Sequence, residues 1–269
     1  MKITLVPTAG LCNRMNAILC AIASYEQYKI PTEIYWEKTN DCYAEFSDLF
    51  EPLNHPAIKV LPLKKFYLKP GGKKLLYIPN ILRKFYFDIS YNANKICITE
   101  SKLDDLCKNR NRIYFTSYNR YCIIPTIKEP IGTYFKPAKD IEGRIDSITQ
   151  RYYTPNTIGV HIRRTDNLAA IRNSPIEKYI SLMDNELRIN LNTNFYLATD
   201  CERTRERMVK QYGERIIPTH YTLNRNSVQG MKDAVTDLYC LGKTKKIIGS
   251  SNSTYSQISS DLYEVELVI

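Results

Sequence analysis

Two adjacent arginines, Arg163 and Arg164, directly follow a β-branched run at residues 158–162 that has the length and composition of a buried strand. In open α/β sheets the ligand crevice lies outside the carboxyl ends of the strands, so we expect these cations where a ligand binds. A guanidinium is planar and permanently charged, and it can hold a phosphate through two parallel hydrogen bonds. The pair therefore predicts a phosphate site, although two surface arginines paired with Asp166 would give the same pattern.

A second group of polar side chains ends one predicted strand and opens a helix, at Ser250, Asn252 and Ser253. The start of a helix offers hydroxyls and backbone amides to an anion. This turn is therefore a candidate phosphate site. A well-capped helix start without a ligand is the alternative interpretation.

The turn between the first predicted strand and the first predicted helix contains Gly10, Asn13 and Arg14. Glycine lets a ligand approach the backbone, and amides at a helix start favour anionic or carbonyl groups. Asn13 is therefore a candidate site residue. A plain strand-to-helix turn in which Asn13 is the N-cap explains the same residues.

Asp237 lies on the flank of a helix that the apolar spacing of Met231, Val235 and Leu238 predicts. A carboxylate at that position can accept hydrogen bonds from both N1–H and N2–H of guanine. A solvated charge or a local cap is the more ordinary role of such an aspartate.

The elements that must hold these residues alternate along the second part of the chain. Strands are predicted at residues 158–162, 195–198, 215–218 and 246–249, with helices between and after them. This alternation predicts a mainly parallel, doubly wound sheet. Ser174 is expected to open one helix in a capping box with Glu177, and Asp200 to cap the next.

The first part of the chain is predicted to contain strands at residues 2–6, 32–36, 58–63, 95–99 and 112–118. Proline-punctuated connections separate them. A helical stripe and a turn within residues 136–156 indicate a boundary. We therefore expect two domains, at residues 1–150 and 151–269.

The composition is that of a globular protein, with 43% apolar and 25% charged residues among 269. Eight cysteines without a C-x-x-C pair and only three histidines predict reduced thiols and no metal site. The net charge of +10 favours an anionic partner, which a nucleotide, a nucleic acid or an anionic lipid would satisfy. The apolar stretch in the first residues is too short for a signal peptide, and no segment has the apolar length of a spanning helix, so we expect a cytoplasmic protein.

Three motifs occur in one order: His-Ile-Arg-Arg-Thr-Asp at residues 161–166, Ser-Pro-Ile-Glu-Lys-Tyr at 174–179 and Tyr-Leu-Ala-Thr-Asp at 196–200. This order resembles the donor-binding half of the α1,6-fucosyltransferases and of the bacterial nodulation fucosyltransferase. The turn at residues 10–14 is also similar to a Gly-x-Gly-Asn-Arg/Gln signature that faces the active cleft in the superfamily, which includes the protein O-fucosyltransferases. Here Cys12 replaces the second glycine.

The resemblance implies an α/β fold of the GT-B type, with two Rossmann-like domains of doubly wound, mainly parallel sheets. It implies inverting transfer of fucose from GDP-fucose to a glycan hydroxyl, with residues 1–150 on the acceptor side and residues 151–269 binding the GDP-sugar. The chain has no D-x-D motif, so we expect no metal and no cofactor besides the donor substrate. Cations of the protein would then stabilise the leaving diphosphate.

The resemblance also assigns roles. Arg163 and Asn13 are expected to be the catalytic residues, because the arginine that matches Arg163 is the indispensable one in the related enzymes. The aspartate that matches Asp237 contacts the guanine there, and the serine-rich turn holds the β-phosphate. The expected nucleotide-binding set is His161, Arg163, Arg164, Asp200, Asp237, Ser250, Asn252 and Ser253.

The chain departs from the family after the arginine motif. The α1,6-enzymes continue with a lysine and a glutamate proposed to handle the acceptor proton, whereas this chain continues with Asn167 and Leu168. Protein O-fucosyltransferases work without that glutamate, so its absence leaves the acceptor open rather than excluding activity. The α1,2-fucosyltransferases continue with Gly-Asp-Tyr, which also differs from this chain, and we favour an α1,6-like ancestry.

Two other hypotheses remain open: the same fold with another GDP-sugar donor, and a basic nucleic-acid-binding protein without catalysis. Under the main hypothesis no nucleic acid is expected as a partner. The acceptor would be a bacterial surface polysaccharide, for which a lipid-linked form is one option. The basic and aromatic stretch at residues 59–84 is a candidate for peripheral contact with the inner face of a membrane, and a solvated basic surface is its ordinary explanation.

Overall fold

The structure, a computed structural model, describes residues 1–62, 85–92, 97–122, 127, 129–165, 168–219 and 224–269. These residues form two compact units, Met1–Lys136 and Pro137–Ile269. The division precedes the expected boundary at residue 150, which falls inside the helix Lys139–Tyr152. That helix belongs to the second unit because it packs there against the helix Val228–Gly242. An ion pair of 2.6 Å between Arg144 and Asp233 joins the two helices.

The first unit contains a parallel sheet of five strands. Its elements are β1 (Lys2–Pro7), α1 (Leu11–Tyr28), β2 (Thr32–Trp36), α2 (Phe46–Leu49), β3 (Ile58–Pro62), β4 (Ile89–Asn92), α3 (Glu100–Asn109), β5 (Arg112–Ser117) and α4 (Ile131–Tyr134). The strand order is β3-β2-β1-β5-β4. Four of the strands predicted here are confirmed within the described residues, and β4 was not predicted.

The fifth predicted strand of this unit, at residues 95–99, is wrong in its described part. Ile98 makes only an isolated bridge to Cys122. Thr99 is already the N-cap of α3, and its side chain accepts from the Lys102 N–H at 3.3 Å. A capping threonine therefore ends the extended segment after a single bridged residue.

The second unit contains a parallel sheet of four strands. Its elements are α5 (Lys139–Tyr152), β6 (Thr157–Ile162), α6 (Leu168–Asn173), α7 (Ile176–Ile189), β7 (Asn194–Thr199), α8 (Glu202–Tyr212), α9 (Val228–Gly242), β8 (Lys246–Ile248), α10 (Thr254–Tyr263) and β9 (Glu266–Val268). The strand order is β7-β6-β8-β9. The alternation of strands and helices predicted for this part of the chain is confirmed, and it gives a mixed α/β fold with parallel sheets.

One predicted strand of the second unit, at residues 215–218, is wrong. Residues Gly213–Arg215 form a short 3-10 helix, and Ile216 makes a single bridge to Phe195 at the edge of the sheet. Pro218 follows and has no backbone N–H with which to extend the pairing. Strand β9, on the opposite edge, was not predicted.

Strand β6 is buried on both faces and separates two helix layers. Val160 and Ile162 point into the core that Tyr179 of α7 and Met208 of α8 complete. Gly159 points the other way, where a Cβ atom would lie 2.8 Å from Thr244 Oγ1, just after α9. Side chains alternate along a strand, so His161 must share the face of Gly159.

Within the described ranges, no helix combines the length and the apolar character that crossing a membrane requires.

Candidate functional site

The sheet of the second unit reverses its strand order between β6 and β8. The chain leaves β6 toward β7 on one side and later returns to the other side for β8. At such a switch point the loops diverge and leave a crevice outside the carboxyl ends of the two strands. Arg163 follows β6 and Ser250 comes shortly after β8, and the Arg163 N–H donates to Ser250 Oγ at 2.9 Å. The structure thus brings both segments that were predicted to bind phosphate to this crevice.

The Ser250 hydroxyl is committed to the protein itself. It is 1% exposed and donates to the His161 carbonyl oxygen at 3.0 Å, while it accepts from Arg163 N–H. The Tyr179 hydroxyl lies 2.6 Å from Ser250 Oγ. In this geometry the Ser250 side chain supports the Arg163 backbone, and its direct contact with a phosphate stays a prediction.

Asp200 fixes the loop that carries the arginines. Its Oδ1 accepts from the Arg164 N–H at 2.7 Å, and its Oδ2 accepts from the Thr165 hydroxyl at 2.6 Å. The expectation that Asp200 caps α8 is wrong: Cys201 is the N-cap, without a side-chain hydrogen bond. The carboxylate instead joins the end of β7 to the loop after β6, and so it restrains the backbone on both sides of the Arg164 peptide.

The Arg164 guanidinium is held by the segment before α7. It donates to the Ser174 carbonyl oxygen at 2.8 Å and lies over the Tyr179 ring, 5.7 Å from its centroid. The capping box predicted at Ser174 is wrong, since Pro175 is the N-cap of α7 and makes no side-chain bond. The Ser174 hydroxyl instead accepts from the Ser251 N–H at 2.9 Å. Arg164 therefore stabilises the loop through this segment, and Arg163 stays the predicted ligand residue of the pair.

The possible partner of the pair in the alternative interpretation, Asp166, lies outside the described residues, as do Asn167 and His220. Arg163 itself is half-buried, and its backbone is fixed by Ser250.

His161 is buried beneath the crevice. It is 7% exposed, its Nδ1 lies 2.7 Å from Ser256 Oγ, and its ring packs on Tyr255 with 4.8 Å between the centroids. Burial lowers the pKa of the imidazole to about 4. The ring is therefore neutral near pH 7, and it can act toward a ligand as a hydrogen-bonding group without charge.

The turn before α10 divides its polar residues between different tasks. Ser253 is the N-cap of α10 and accepts from the Ser256 N–H at 3.4 Å. Asn252 is exposed and has a left-handed backbone, with φ of 53°. The Ser253 hydroxyl therefore caps the helix, as the alternative interpretation of this turn expects. The positive end of the α10 dipole still points to this end of the sheet, where it favours an anion.

Asp237 is buried in the helix layer beside the sheet. It is 7% exposed, and the Tyr196 hydroxyl donates to its Oδ1 at 2.5 Å. Burial raises the pKa of this carboxyl to about 7, and the nearby Arg205 opposes the shift. Both ordinary interpretations of Asp237 are wrong, because it is neither solvated nor at a helix end. A buried carboxyl with a strongly raised pKa is a common property of functional sites.

Three further residues at this site were not among the sequence candidates. Ser256 and Tyr179 hold His161 and Ser250. Tyr179 ends the motif at residues 174–179 but was given no role at the site, and only a helical position marked Ser256. Arg205 was also missed: its side chain is 12% exposed, NH1 donates to Thr219 Oγ1 at 2.7 Å, and NH2 has no hydrogen-bond partner among the described residues. A charged residue early in a polar helix carries no signal that separates it from solvated neighbours.

Asn13 belongs to the first unit. Helix α1 begins at Leu11 with Gly10 as its N-cap, so Asn13 lies in the first turn of the helix and is not the N-cap. Arg14 is fully buried, donates to Ala9 O and to Thr39 Oγ1 at 2.7 Å each, and packs over the ring of Trp36. Arg14 therefore stabilises the turn from within, and half-buried Asn13 remains the candidate there.

Among the described residues, no group of three or more His, Cys, Asp and Glu side chains is arranged to hold a metal ion. The candidate site consists instead of one cationic side chain, one neutral imidazole, one buried carboxyl and a helix start, which together suit an anionic ligand with a polar ring.

No protein-family model matches the chain, and no curated protein matches it. Solved structures do match. The fucosyltransferase NodZ from Bradyrhizobium is 16% identical, with 96% of this chain and 91% of that chain covered and a TM-score of 0.64. FUT1 of Arabidopsis thaliana in complex with GDP is 13% identical, with 99% and 69% covered and a TM-score of 0.64. POFUT1 in complex with GDP-fucose is 11% identical, with 98% and 94% covered and a TM-score of 0.57.

At these identities the likeness shows the fold alone. It confirms that the resemblance to the fucosyltransferases, which the three sequence motifs indicated, extends to the fold of nearly the whole chain.

Proposed function

We propose that this chain is a glycosyltransferase of the GT-B type that transfers fucose from GDP-fucose to a hydroxyl of a glycan, with inversion and without a metal ion. One observation carries the proposal: Arg163 stands at the switch point between β6 and β8, with its backbone bound to Ser250 at 2.9 Å. The similar structures of FUT1 and POFUT1 were solved with GDP or GDP-fucose, which supports the same donor here.

Arg163 would promote departure of the diphosphate because its position is fixed before the reaction. When the sugar–phosphate bond breaks, negative charge grows on the departing diphosphate, and a cation already in place lowers the barrier without reorganising. Arg163 would supply that cation together with the start of α10. Arg164 and Asp200 would act indirectly, since their bonds to Ser174 and to the loop backbone hold the arginine loop in one conformation.

The nucleoside would be recognised by the buried polar groups on the other face of the sheet. Asp237 can accept from N1–H and N2–H of guanine, and two such donors would stabilise its ionised form. His161 would contribute a neutral hydrogen-bonding group. Asn252 and Ser253 would offer the backbone amides of their turn, because the Ser253 side chain is already engaged in capping.

We assign the acceptor to the first unit and the donor to the second. Asn13 would act from the first turn of α1 as the second catalytic residue. A bacterial surface polysaccharide, in lipid-linked form as one option, would be the acceptor for a cytoplasmic enzyme at the inner face of the membrane. Of the basic stretch that would contact the membrane, residues 63–84 lie outside the described residues.

Incubation with GDP-fucose, GDP-mannose, UDP-galactose and ADP-glucose, with and without EDTA, would test the proposal by the nucleotide released. We expect release from GDP-fucose above all others, undiminished by the chelator and lost in Arg163→Ala. Preference for GDP-mannose would replace the donor sugar and keep the site. Loss of activity in EDTA that magnesium restores would contradict the metal-free mechanism. Salt-sensitive oligonucleotide binding without GDP binding would favour the nucleic-acid hypothesis.

A further inference from the structure

The hydroxyl of Ser256 limits how His161 can be protonated. Ser256 is fully buried, and its Oγ accepts from the Ser250 N–H at 3.1 Å. The same oxygen lies 2.7 Å from His161 Nδ1. Throughout the described ranges, this ring nitrogen is the only acceptor available to the Ser256 O–H.

A buried hydroxyl without an acceptor is destabilising, so the Ser256 proton belongs on the line to His161 Nδ1. A nitrogen that accepts a proton cannot carry one of its own in the neutral ring. The proton of neutral His161 must then be on Nε2.

The other ring nitrogen makes no hydrogen bond to a described residue, although the side chain is 7% exposed. An Nε2–H group is a donor, and this nitrogen is not among the fully buried polar atoms of the described residues that lack a partner, so water or a ligand can take its hydrogen bond. This donor lies on β6, two residues before Arg163, on the face of the sheet that also holds Asp237.

We propose that Ser256 is a positioning residue that fixes His161 as the Nε2–H tautomer, so that His161 donates a hydrogen bond to an acceptor atom of the bound nucleotide. The nucleotide part rests on the proposed function, whereas the tautomer does not. Ser256 and Asp237 would then complement each other: one prepares a donor and the other provides an acceptor.

The chain contains its own spectroscopic reference. His55 Nδ1 accepts from the N–H groups of Ala57 and Ile58 at 3.2 and 3.1 Å, so His55 must also carry its proton on Nε2. With only three histidines in the chain, the ring nitrogens can be assigned in a protein labelled with 15N-histidine by comparison with His161→Gln. At neutral pH we expect His161 to show an unprotonated Nδ1 and a protonated Nε2, as His55 does. A protonated Nδ1 on His161 would overturn the proposal.

The matched variants are Ser256→Ala and Ser259→Ala. Both serines are fully buried in α10, but the Ser259 hydroxyl has no hydrogen-bond partner among the described residues. Ser256→Ala should move the His161 ring-nitrogen signals toward each other and leave those of His55 in place. It should also weaken GDP binding about threefold to tenfold, the equivalent of one ordinary hydrogen bond. Ser259→Ala should change neither measurement.

Unchanged GDP affinity in Ser256→Ala would overturn the positioning role. If Ser256→Ala does not fold, the spectrum of the unmodified protein still decides the tautomer. A protein that shows the predicted tautomer and binds no GDP would support the assignment of Ser256 and contradict the proposed function, so the two failures are distinguishable.

Discussion

The N–H of Arg163 donates to the Ser250 hydroxyl over 2.9 Å, and this one bond joins the loops that follow β6 and β8. The loop after β6 carries Arg163, the cation proposed to bind the diphosphate, while the loop after β8 leads into α10. Because Ser250 also bonds His161 O and the Tyr179 hydroxyl, its side chain restrains the backbone at His161 and Arg163 and the position of the Tyr179 ring.

Ser250→Ala should therefore lower kcat/KM for the GDP-sugar about tenfold, because Arg163 loses the partner that holds its backbone. The free energy of unfolding should fall by about 1–3 kcal/mol as buried groups lose their partner. Steady-state kinetics and chemical denaturation would measure the two effects. Ser259→Ala is the control and should retain full activity. Equal activity in both variants would show that the bond does not position Arg163.

Arg163→Ala should reduce transfer at least about a hundredfold, as expected when a group that stabilises transition-state charge is removed. Arg163→Lys should fail as well, since an ammonium cannot reproduce the forked pair of hydrogen bonds. Arg188→Lys, at an exposed position near the end of α7, is the control for loss of a guanidinium and should be fully active. Near-normal turnover in Arg163→Lys would contradict the phosphate role, provided that the melting temperatures of all variants agree.

Asp237 and His161 should give stability opposite dependences on pH. Burial raises the pKa of Asp237 from near 4 to about 7, so in this range the unfolded state ionises first and binds fewer protons. The free energy of unfolding then falls as pH rises from about 4 to about 7. Burial lowers the pKa of His161 from 6.5 to about 4, so stability falls as pH drops through that window.

Denaturation at a series of pH values would separate the two contributions. Relative to the unmodified protein, Asp237→Asn should gain stability as pH rises, whereas His161→Gln should gain stability as pH falls. Variants whose pH profiles run parallel to that of the unmodified protein would show that neither group is buried as described.

Asp237 should also set the nucleotide preference. Asparagine keeps the size but replaces one acceptor by a donating amide, so one contact to guanine becomes a clash between two donors. Asp237→Asn should lose at least about tenfold in GDP affinity, which is roughly 1.4 kcal/mol. Asp184→Asn is a matched control, because Asp184 also accepts from a tyrosine hydroxyl, that of Tyr212 at 2.9 Å. Titration calorimetry with GDP, ADP and UDP would measure the preference, and equal binding of all three would refute it.

The order of most elements in the second unit could be predicted because β6, β7 and β8 contain short apolar runs bounded by turn residues, whereas β9 was missed and the strand at residues 215–218 was wrong. The position of Arg163 followed directly, since a cation at the end of such a strand must lie at the carboxyl edge of the sheet. The sequence pattern does not, however, predict the order of the strands within the sheet. That β6 and β8 are neighbours, and that their loops meet through Ser250, depends on tertiary pairing.

The errors concern polar side chains with more than one available partner. Ser174 and Asp200 each stand where a helix cap is expected, yet both bond to a neighbouring loop instead. Local sequence cannot choose between a nearby backbone amide and a distant one. Burial was equally hidden: Arg14 and Asp237 are charged residue types, and only packing shows that both are enclosed.

A crystal structure of the protein with GDP-fucose would test the central claim most directly. We predict that the diphosphate lies at the switch point between β6 and β8, with the Arg163 guanidinium within hydrogen-bonding distance of its oxygens and the guanine against Asp237. A nucleotide bound away from the carboxyl ends of these two strands, or one whose phosphates do not contact Arg163, would contradict the account.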